Sequence, residues 1–187
     1  MANPDAEANA RFERLFPLVR DPLVRYLARR AAPDAVEDLF AEVLAVAWRR
    51  RADLPVGEEL PWLYGTARRV LANHRRAGSR FGRLLERLAF HQRSAGPGPA
   101  AGRAAGDLDL DAAMAALSAV DAEVLRLWAW EELAPREIGA VLGISANAAS
   151  IRLHRAKERL RSRLETERGK TAMVAGHVPG IERKETR

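Results

Sequence analysis

The sequence predicts an all-α protein of two small helical bundles joined by a flexible linker, with a helix-turn-helix in the second bundle. Apolar residues recur at helical spacing along most of the 187 residues. Sustained alternation and Asn-Gly or Asp-Gly hairpin turns, which indicate strands, are absent. Residues 94–106 are rich in Gly, Pro and Ala and have no periodicity. We expect bundles over residues 8–92 and 108–166, a linker over 93–107 and a disordered tail over 167–187.

Two helices are expected before residue 35. Asp21 and Pro22 have the pattern of an N-cap followed by proline at the first helical position, which predicts a helix that ends near Arg30. Pro17 lacks the backbone N–H that a helix interior needs, so we expect it to end an earlier helix.

The clearest amphipathic helix is predicted over residues 36–50. One of its faces is apolar and is formed by Val36, Leu39, Phe40, Val43, Leu44 and Trp48. A loop over residues 53–59 follows, because this stretch contains Pro and Gly. Another helix is expected over about 61–76, with arginines on its outer face, and a short one over about 81–91.

Past the linker, the apolar spacing of Leu110, Met114 and Leu117 predicts one helix. Asp121 is expected to cap the next helix. A third helix is predicted over residues 135–142. It is followed by a turn and by a long helix from residue 146 to about residue 165.

The last two of these helices have the construction of a helix-turn-helix. Gly139 allows close approach of a second helix, and Gly143 can adopt the positive φ of a helix C-terminus. Ser145 is a suitable N-cap for the following helix. On that helix, one stripe faces the bundle, namely Ala149, Leu153, Ala156, Leu160 and Leu164, so that Ile151 and the arginines point outward.

Basic charge is concentrated on this helix. The chain has 31 Lys and Arg against 25 Asp and Glu, a formal charge of +6. Six basic residues fall between positions 152 and 163, with Glu158 as the one acidic residue among them. Such a stripe indicates a surface for a polyanion. A merely solvated charged face is the alternative, and the glycines and the serine cap favour DNA contact.

Composition excludes several other classes of protein. Without cysteine there is no disulfide framework, thiolate zinc site or Cys nucleophile. The four histidines have no ligand spacing, and no phosphate-binding Gly loop is present. We therefore expect no catalytic residue, no metal and no cofactor. No apolar run approaches the roughly 18 residues of a membrane span, and the N-terminus lacks signal-peptide features. The expected location is the cytoplasm.

Three segments together resemble extracytoplasmic-function (ECF) sigma factors of the sigma-70 family. Residues 36–50, VEDLFAEVLAVAWRR, resemble the helix that binds the polymerase core. Residues 61–76, PWLYGTARRVLANHRR, resemble the promoter −10 segment, and residues 142–160 resemble the helix that reads the −35 element. The resemblance covers about residues 10–165 and implies a factor that directs RNA polymerase to promoters and helps to melt DNA.

The resemblance also implies roles for individual residues. It assigns polymerase binding to Asp38, Leu39, Glu42 and Val43. It assigns the −10 element to Asp53, Leu54, Arg68, Arg69, Asn73 and Arg76. It assigns the −35 element to Ser150, Ile151, Arg152, His154, Arg155 and Arg159. The partners would be the clamp helices and flap of core RNA polymerase, promoter DNA and an anti-sigma factor, without membrane insertion. Trp62 and Tyr64 are candidate platforms for an unstacked base, although a core position is favoured for Trp62.

Two other functions remain open at the level of sequence. A conventional helix-turn-helix regulator would bind a palindromic operator without polymerase. A helical interaction protein with solvated basic faces would show no salt-dependent affinity for DNA.

Overall fold

The computed structural model describes the backbone of residues 4–88 and 105–175, and the side chains of residues 6–78 and 110–166. Within these ranges the chain forms helices and turns without a strand, which confirms the all-α prediction. The helices are α1 Pro4–Ala28, α2 Val36–Arg49, α3 Glu59–Leu88, α4 Ala105–Ala115, α5 Ala119–Ala129, α6 Pro135–Leu142 and α7 Ala146–Ala175. Single 3-10 turns, Pro33–Ala35 and Arg51–Asp53, flank α2.

The prediction that Pro17 ends a helix was wrong. Helix α1 runs for 25 residues and contains both Pro17 and Pro22. Each proline removes one backbone hydrogen bond, which disfavours the helix locally. Core packing on the C-terminal side of Pro17 compensates, because Val19, Leu23, Tyr26 and Leu27 are all buried.

Helices α2 and α3 each place one apolar stripe in the core of the first unit, which consists of α1 to α3. The buried residues of α2 are Val36, Leu39, Phe40, Val43 and Ala47. Four of these were predicted; of the other two residues of the predicted apolar face, Leu44 is partly buried and Trp48 is 42% exposed. Helix α3 is longer than expected: it is continuous from residue 59 to residue 88, with no break before the short helix predicted over 81–91. The buried apolar residues of its first part are Leu63, Tyr64, Ala67, Val70 and Leu71.

The second unit consists of α4 to α7, with three differences from the prediction. Helix α4 already begins at residue 105, inside the predicted linker, and residues 89–104 lie outside the described part. Ser118, not Asp121, caps α5: its hydroxyl accepts the backbone N–H of Asp121 at 3.1 Å. Residues 167–175 of the predicted disordered tail continue α7, and residues 176–187 lie outside the described part.

The two units pack on one another, whereas a tether alone was expected to join them. Helix α3 lies against α6, and their buried residues belong to one continuous apolar cluster. Gly65 permits this approach, because a Cβ atom there would already lie 3.4 Å from the carbonyl oxygen of Val141. Linker composition does not determine whether the units it joins dock on each other.

No helix in the described ranges combines the length and apolarity that crossing a bilayer requires.

Candidate nucleic-acid interface

The helix-turn-helix has the backbone geometry that its glycines predicted. A Cβ atom on Gly139 would lie 2.7 Å from the carbonyl oxygen of Ile144, so only glycine fits between α6 and the turn. Gly143 has a φ of 70° and ends α6 in the left-handed conformation. The Ser145 hydroxyl accepts the backbone N–H of Ala148 at 3.1 Å, which caps α7.

Helix α7 turns the predicted recognition residues toward solvent. Ala149, Leu153 and Ala156 are buried against the bundle. The opposite side is exposed and consists of Ser150, Ile151, Arg152, His154, Arg155 and Arg159. Ile151 is 45% exposed although it is apolar, and it lies between arginines. An apolar side chain beside guanidinium groups suits the thymine methyls and guanine edges of a major groove.

Not all basic side chains of this helix are equally available to a ligand. Arg159 donates to Asp121 at 2.5 Å, and Arg161 donates to Glu158 at 2.5 Å. The Lys157 ammonium lies 3.4 Å from the ring centroid of Trp128, a cation–π contact that stabilises the unit. No ion pair or ring contact is found for Arg152 or Arg155 in the described part of the chain, which leaves these two as the best placed to bind.

The start of α5 adds a part of this surface that the sequence reading missed. A groove of about 530 Å³ lies between the N-terminus of α5 and α7, with Ser118 and Val120 on one wall and Arg152, Arg155 and Arg159 on the other. The sequence signal for this N-cap was Ser118, which lies three residues before Asp121. A phosphate in the groove would meet the guanidinium groups of Arg152 and Arg155, which have no acidic partner in the described residues, and a helix N-terminus.

A second basic surface lies on α3, and it matches the predicted −10 segment. Arg68, Arg69, Asn73 and Arg76 are all exposed. Arg76 donates to the Asn73 side-chain oxygen at 2.7 Å, and Arg69 donates to the buried Thr66 hydroxyl at 3.2 Å. Both acceptors are neutral groups, and these bonds fix the direction of the two guanidinium groups.

The loop before α3 agrees with the prediction in part. Asp53 is exposed and pairs with Arg50 at 3.4 Å. Leu54 is 3% exposed, so its assignment to the −10 element was wrong: the side chain fills the core. Glu59 lies nearby and accepts from Arg11 at 2.7 Å. Partial burial raises the pKa of Glu59, but the Arg11 guanidinium and backbone N–H groups outweigh this and lower that pKa overall.

The aromatic candidates divide into one core residue and one partly buried residue. Tyr64 is 2% exposed, and its ring stacks on Tyr26 with centroids 4.8 Å apart, so it cannot receive a base here. Burial raises the pKa of Tyr64 to about 12, which keeps its hydroxyl neutral. Trp62 is partly buried against the core, and the guanidinium carbon of Arg50 lies 5.5 Å from its ring centroid.

The polymerase-binding candidates on α2 also divide by burial. Asp38 and Glu42 are exposed one helical turn apart, and together they form an acidic face. Leu39 is 2% exposed and Val43 is fully buried, so the prediction that these two contact a partner was wrong. The helical period alone would have placed both on the core stripe of α2, and the resemblance assigned them without that check.

Comparison with known proteins finds a family model that matches the helix-turn-helix. Residues 107–160 match the family model of Sigma-70, region 4. This part of the chain is similar to region 4 of the sigma-70 family. The match contains α5, α6 and the start of α7, and therefore the whole exposed recognition surface. It confirms the resemblance to sigma factors that the sequence suggested.

Solved structures extend the likeness of fold to most of the chain. The sigma factor RpoE of Bartonella quintana, solved with the anti-sigma factor NepR, is 22% identical with a TM-score of 0.59. That match covers 82% of this chain and 96% of RpoE. CnrH, solved with the cytosolic domain of CnrY, is 20% identical with a TM-score of 0.56, over 87% of this chain and 96% of CnrH. No curated protein matches the chain significantly in sequence.

Proposed function

We propose that the chain is an ECF-type sigma factor that directs core RNA polymerase to promoters. The observation that carries the proposal is the region 4 match, which falls on a helix-turn-helix with Ile151, Arg152 and Arg155 exposed on its second helix. The factor binds and positions DNA and performs no covalent chemistry of its own. It acts in the cytoplasm, where the polymerase and the promoter are found.

The start of α7 reads the −35 element in the major groove. Arg152 and Arg155 can each donate two hydrogen bonds to a guanine edge, and Ile151 can contact a thymine methyl. Ser150 and His154 flank these residues on the exposed side and supply shorter polar contacts. Arg159 is directed by Asp121 and lies further along the helix, where a phosphate contact suits it better than a base.

The arginine face of α3 holds the −10 element. Strand opening needs cations along the backbone and a polar group for an extruded base. Arg68, Arg69 and Arg76 provide the cations, and Asn73 provides an amide that can both donate and accept. Asp53 lies on the loop that precedes this helix. Leu54 takes no part, because it is buried.

The acidic face of α2 meets the polymerase. Asp38 and Glu42 pair with basic side chains of the clamp helices, and the region 4 domain contacts the flap. An anti-sigma factor is a further partner, since RpoE, which shares this fold, was solved with one.

Binding to DNA with and without core polymerase tests the proposal. Each wrong base costs only about 1–3 kcal/mol, so one recognition helix discriminates weakly alone. Polymerase fixes both units relative to the two promoter elements and raises their effective concentration. We expect weak, salt-dependent binding of the free chain and much tighter binding of the holoenzyme in a gel-shift assay. Equal affinity in both states would contradict the proposal and favour a conventional regulator.

A pair of variants on α7 tests the recognition surface. Arg155→Ala should reduce transcription from a promoter with an intact −35 element about 5- to 150-fold, the equivalent of one good base contact of about 1–3 kcal/mol. Arg163→Ala removes the same charge from an exposed position about 12 Å further along the helix. It should leave transcription nearly unchanged. If the two variants behave alike, Arg155 does not read the −35 element.

A further inference from the structure

Arginines from three separate parts of the chain converge on a cleft between the two units. The cleft has a volume of about 830 Å³. Seven arginines line it: four lie on α3, among them Arg75, two directly follow α1, among them Arg30, and one, Arg126, lies on α5. Glu123 is the one carboxylate among its described lining residues. This space is called the arginine cleft, and its excess of positive charge attracts anions.

Nearby carboxylates compensate only part of the charge of the arginine cleft. Glu131 accepts from Arg29 at 3.1 Å and from Arg30 at 2.9 Å. Glu123 lies 3.3 Å from Arg30 and 3.8 Å from Arg126. Three guanidinium groups therefore share two carboxylates.

The arginines that α3 contributes add positive charge without a matching carboxylate. Arg69 donates to the Thr66 hydroxyl at 3.2 Å, and Arg75 donates to the backbone carbonyl oxygen of Arg30 at 3.0 Å. Both acceptors are neutral. Within the residues that the structure describes, no ion pair is found for Arg68, Arg69 or Arg75. These three charges are available to an anion in the cleft.

One donor group of the cleft arginines is buried and lacks an acceptor. The side chain of Arg30 is 5% exposed. Its Nε and Nη1 atoms donate to Glu123, to Glu131 and to the backbone carbonyl oxygen of Tyr26. Its Nη2 atom is buried and has no hydrogen-bond partner in the described part of the chain. Because an unpaired buried donor on a charged group is destabilising, native structures nearly always provide an acceptor for it. An anion bound against Arg30 would be such an acceptor.

The charge and the size of the arginine cleft favour linked phosphate groups over a single one. A phosphate ester carries a charge of about −1.5 to −2 at pH 7, less than the three uncompensated arginines of α3 require. Guanidinium groups suit phosphate because they can bind two of its oxygens at once. The volume lies within the range of about 300–1,000 Å³ that is usual for small-molecule sites. Leu117, Val120 and Leu142 also line the cleft and suit the ring of a nucleoside.

We propose that the arginine cleft binds a small anion with two or more linked phosphate groups, such as pyrophosphate or a nucleoside triphosphate. Arg75 of the first unit and Arg126 of the second bind the phosphates, and Arg30 adds its unpaired donor. The inference goes beyond the proposed function, which gives these three residues no role.

Calorimetric titration of the full chain at about 0.15 M NaCl tests the site, because this salt concentration screens weak surface binding. The ligands are pyrophosphate and GTP, with orthophosphate and a thymidine tetranucleotide without terminal phosphates as controls. The tetranucleotide carries several phosphate charges, but sugars separate them as in a DNA strand. We expect saturable binding of pyrophosphate, at least about tenfold tighter than that of either control, or about 1.4 kcal/mol. Tighter binding of GTP than of pyrophosphate would support a nucleoside on the apolar wall, and equal binding would support linked phosphates alone.

Three arginine-to-glutamine variants locate the bound anion. Arg75→Gln and Arg126→Gln each remove one positive charge from the cleft, one from each unit. Arg163→Gln removes the same charge from an exposed position of α7 that is not among the lining residues. We expect the first two to weaken pyrophosphate binding about tenfold, which corresponds to about 1.4 kcal/mol, and the third to change it less than about twofold. A circular-dichroism melt identifies folded variants, and either cleft variant tests the site without the other.

Absence of saturable pyrophosphate binding would overturn the proposal. Orthophosphate binding as tight as that of pyrophosphate would do so as well. If the tetranucleotide binds as tightly or more tightly, the cleft is a surface for a DNA strand and not a site for linked phosphates. An equal loss of affinity in Arg163→Gln would show that binding follows net charge alone. Failure of the proposed function is visible separately, as the lack of promoter-specific initiation by core polymerase with the unsubstituted chain.

Discussion

Gly139→Ala tests the helix-turn-helix geometry, since the structure fixes the size of the resulting clash. The new Cβ atom would lie 2.7 Å from the carbonyl oxygen of Ile144, and ordinary contact begins at 3.4 Å. The turn must therefore move by about 0.7 Å, or the helix must shift. Overpacking of this kind costs about 1–3 kcal/mol. Because Ile144 directly precedes the cap of α7, the movement also displaces the recognition helix.

Gly78→Ala provides the matched control. Gly78 lies in α3, and a Cβ atom there would meet nothing within 4 Å. Both substitutions gain up to about 1 kcal/mol of helix propensity, so the difference between the variants isolates the clash. Urea unfolding should show Gly139→Ala to be about 1–3 kcal/mol less stable than Gly78→Ala, with weaker DNA binding as well. Equal stability of the two variants would refute the close approach of α6 to the turn.

Three further predictions concern the core, the cap and the ionic contacts. In a urea titration, Leu39→Ala should lower the free energy of unfolding by about 2–5 kcal/mol, whereas Asp38→Ala should leave it nearly unchanged. In a pull-down, Asp38→Ala should weaken binding to core polymerase. Ser145→Ala should cost about 1 kcal/mol in the same titration, through loss of the α7 cap. The pKa of Glu59 is lowered in the folded state, so its stabilising contribution is present above its unfolded pKa and is lost as pH falls through the folded value. As pH falls below about 4.5, the Glu59→Gln variant should therefore lose less stability than the unsubstituted chain. If the free energy of unfolding falls equally with pH in both proteins, the Arg11 contact is contradicted.

Local signals in the sequence were sufficient for several elements. The end of α6, the turn and the cap of α7 were predicted correctly, because Gly143 and Ser145 act through their own backbone geometry. Pro17 was misread, because the local penalty of a proline is smaller than the burial of the residues that follow it. Local rules therefore identified the end of α6 and the start of α7, but they placed false helix ends within α1 and the wrong cap on α5.

The candidate site was predictable to the extent that helical period determines exposure. The stripe through Ile151 and Arg155 on α7 was predicted and is exposed. Leu39 and Val43 were assigned from the resemblance although their period places them in the core. The buried contact between Arg30 and Glu131 has no local signature at all, because these two residues are 101 residues apart along the chain. Contacts at that separation depend on how the units dock, which the pattern of a single sequence does not specify.

Run-off transcription with core polymerase tests the central claim most directly. The template is a mixture of fragments of the genome that encodes the chain, transcribed with and without the protein. We predict new transcripts with defined 5′ ends that depend on the protein, preceded at constant spacing by a shared pair of −35 and −10 elements. Identical transcripts in the two reactions would contradict the assignment of the chain as a sigma factor.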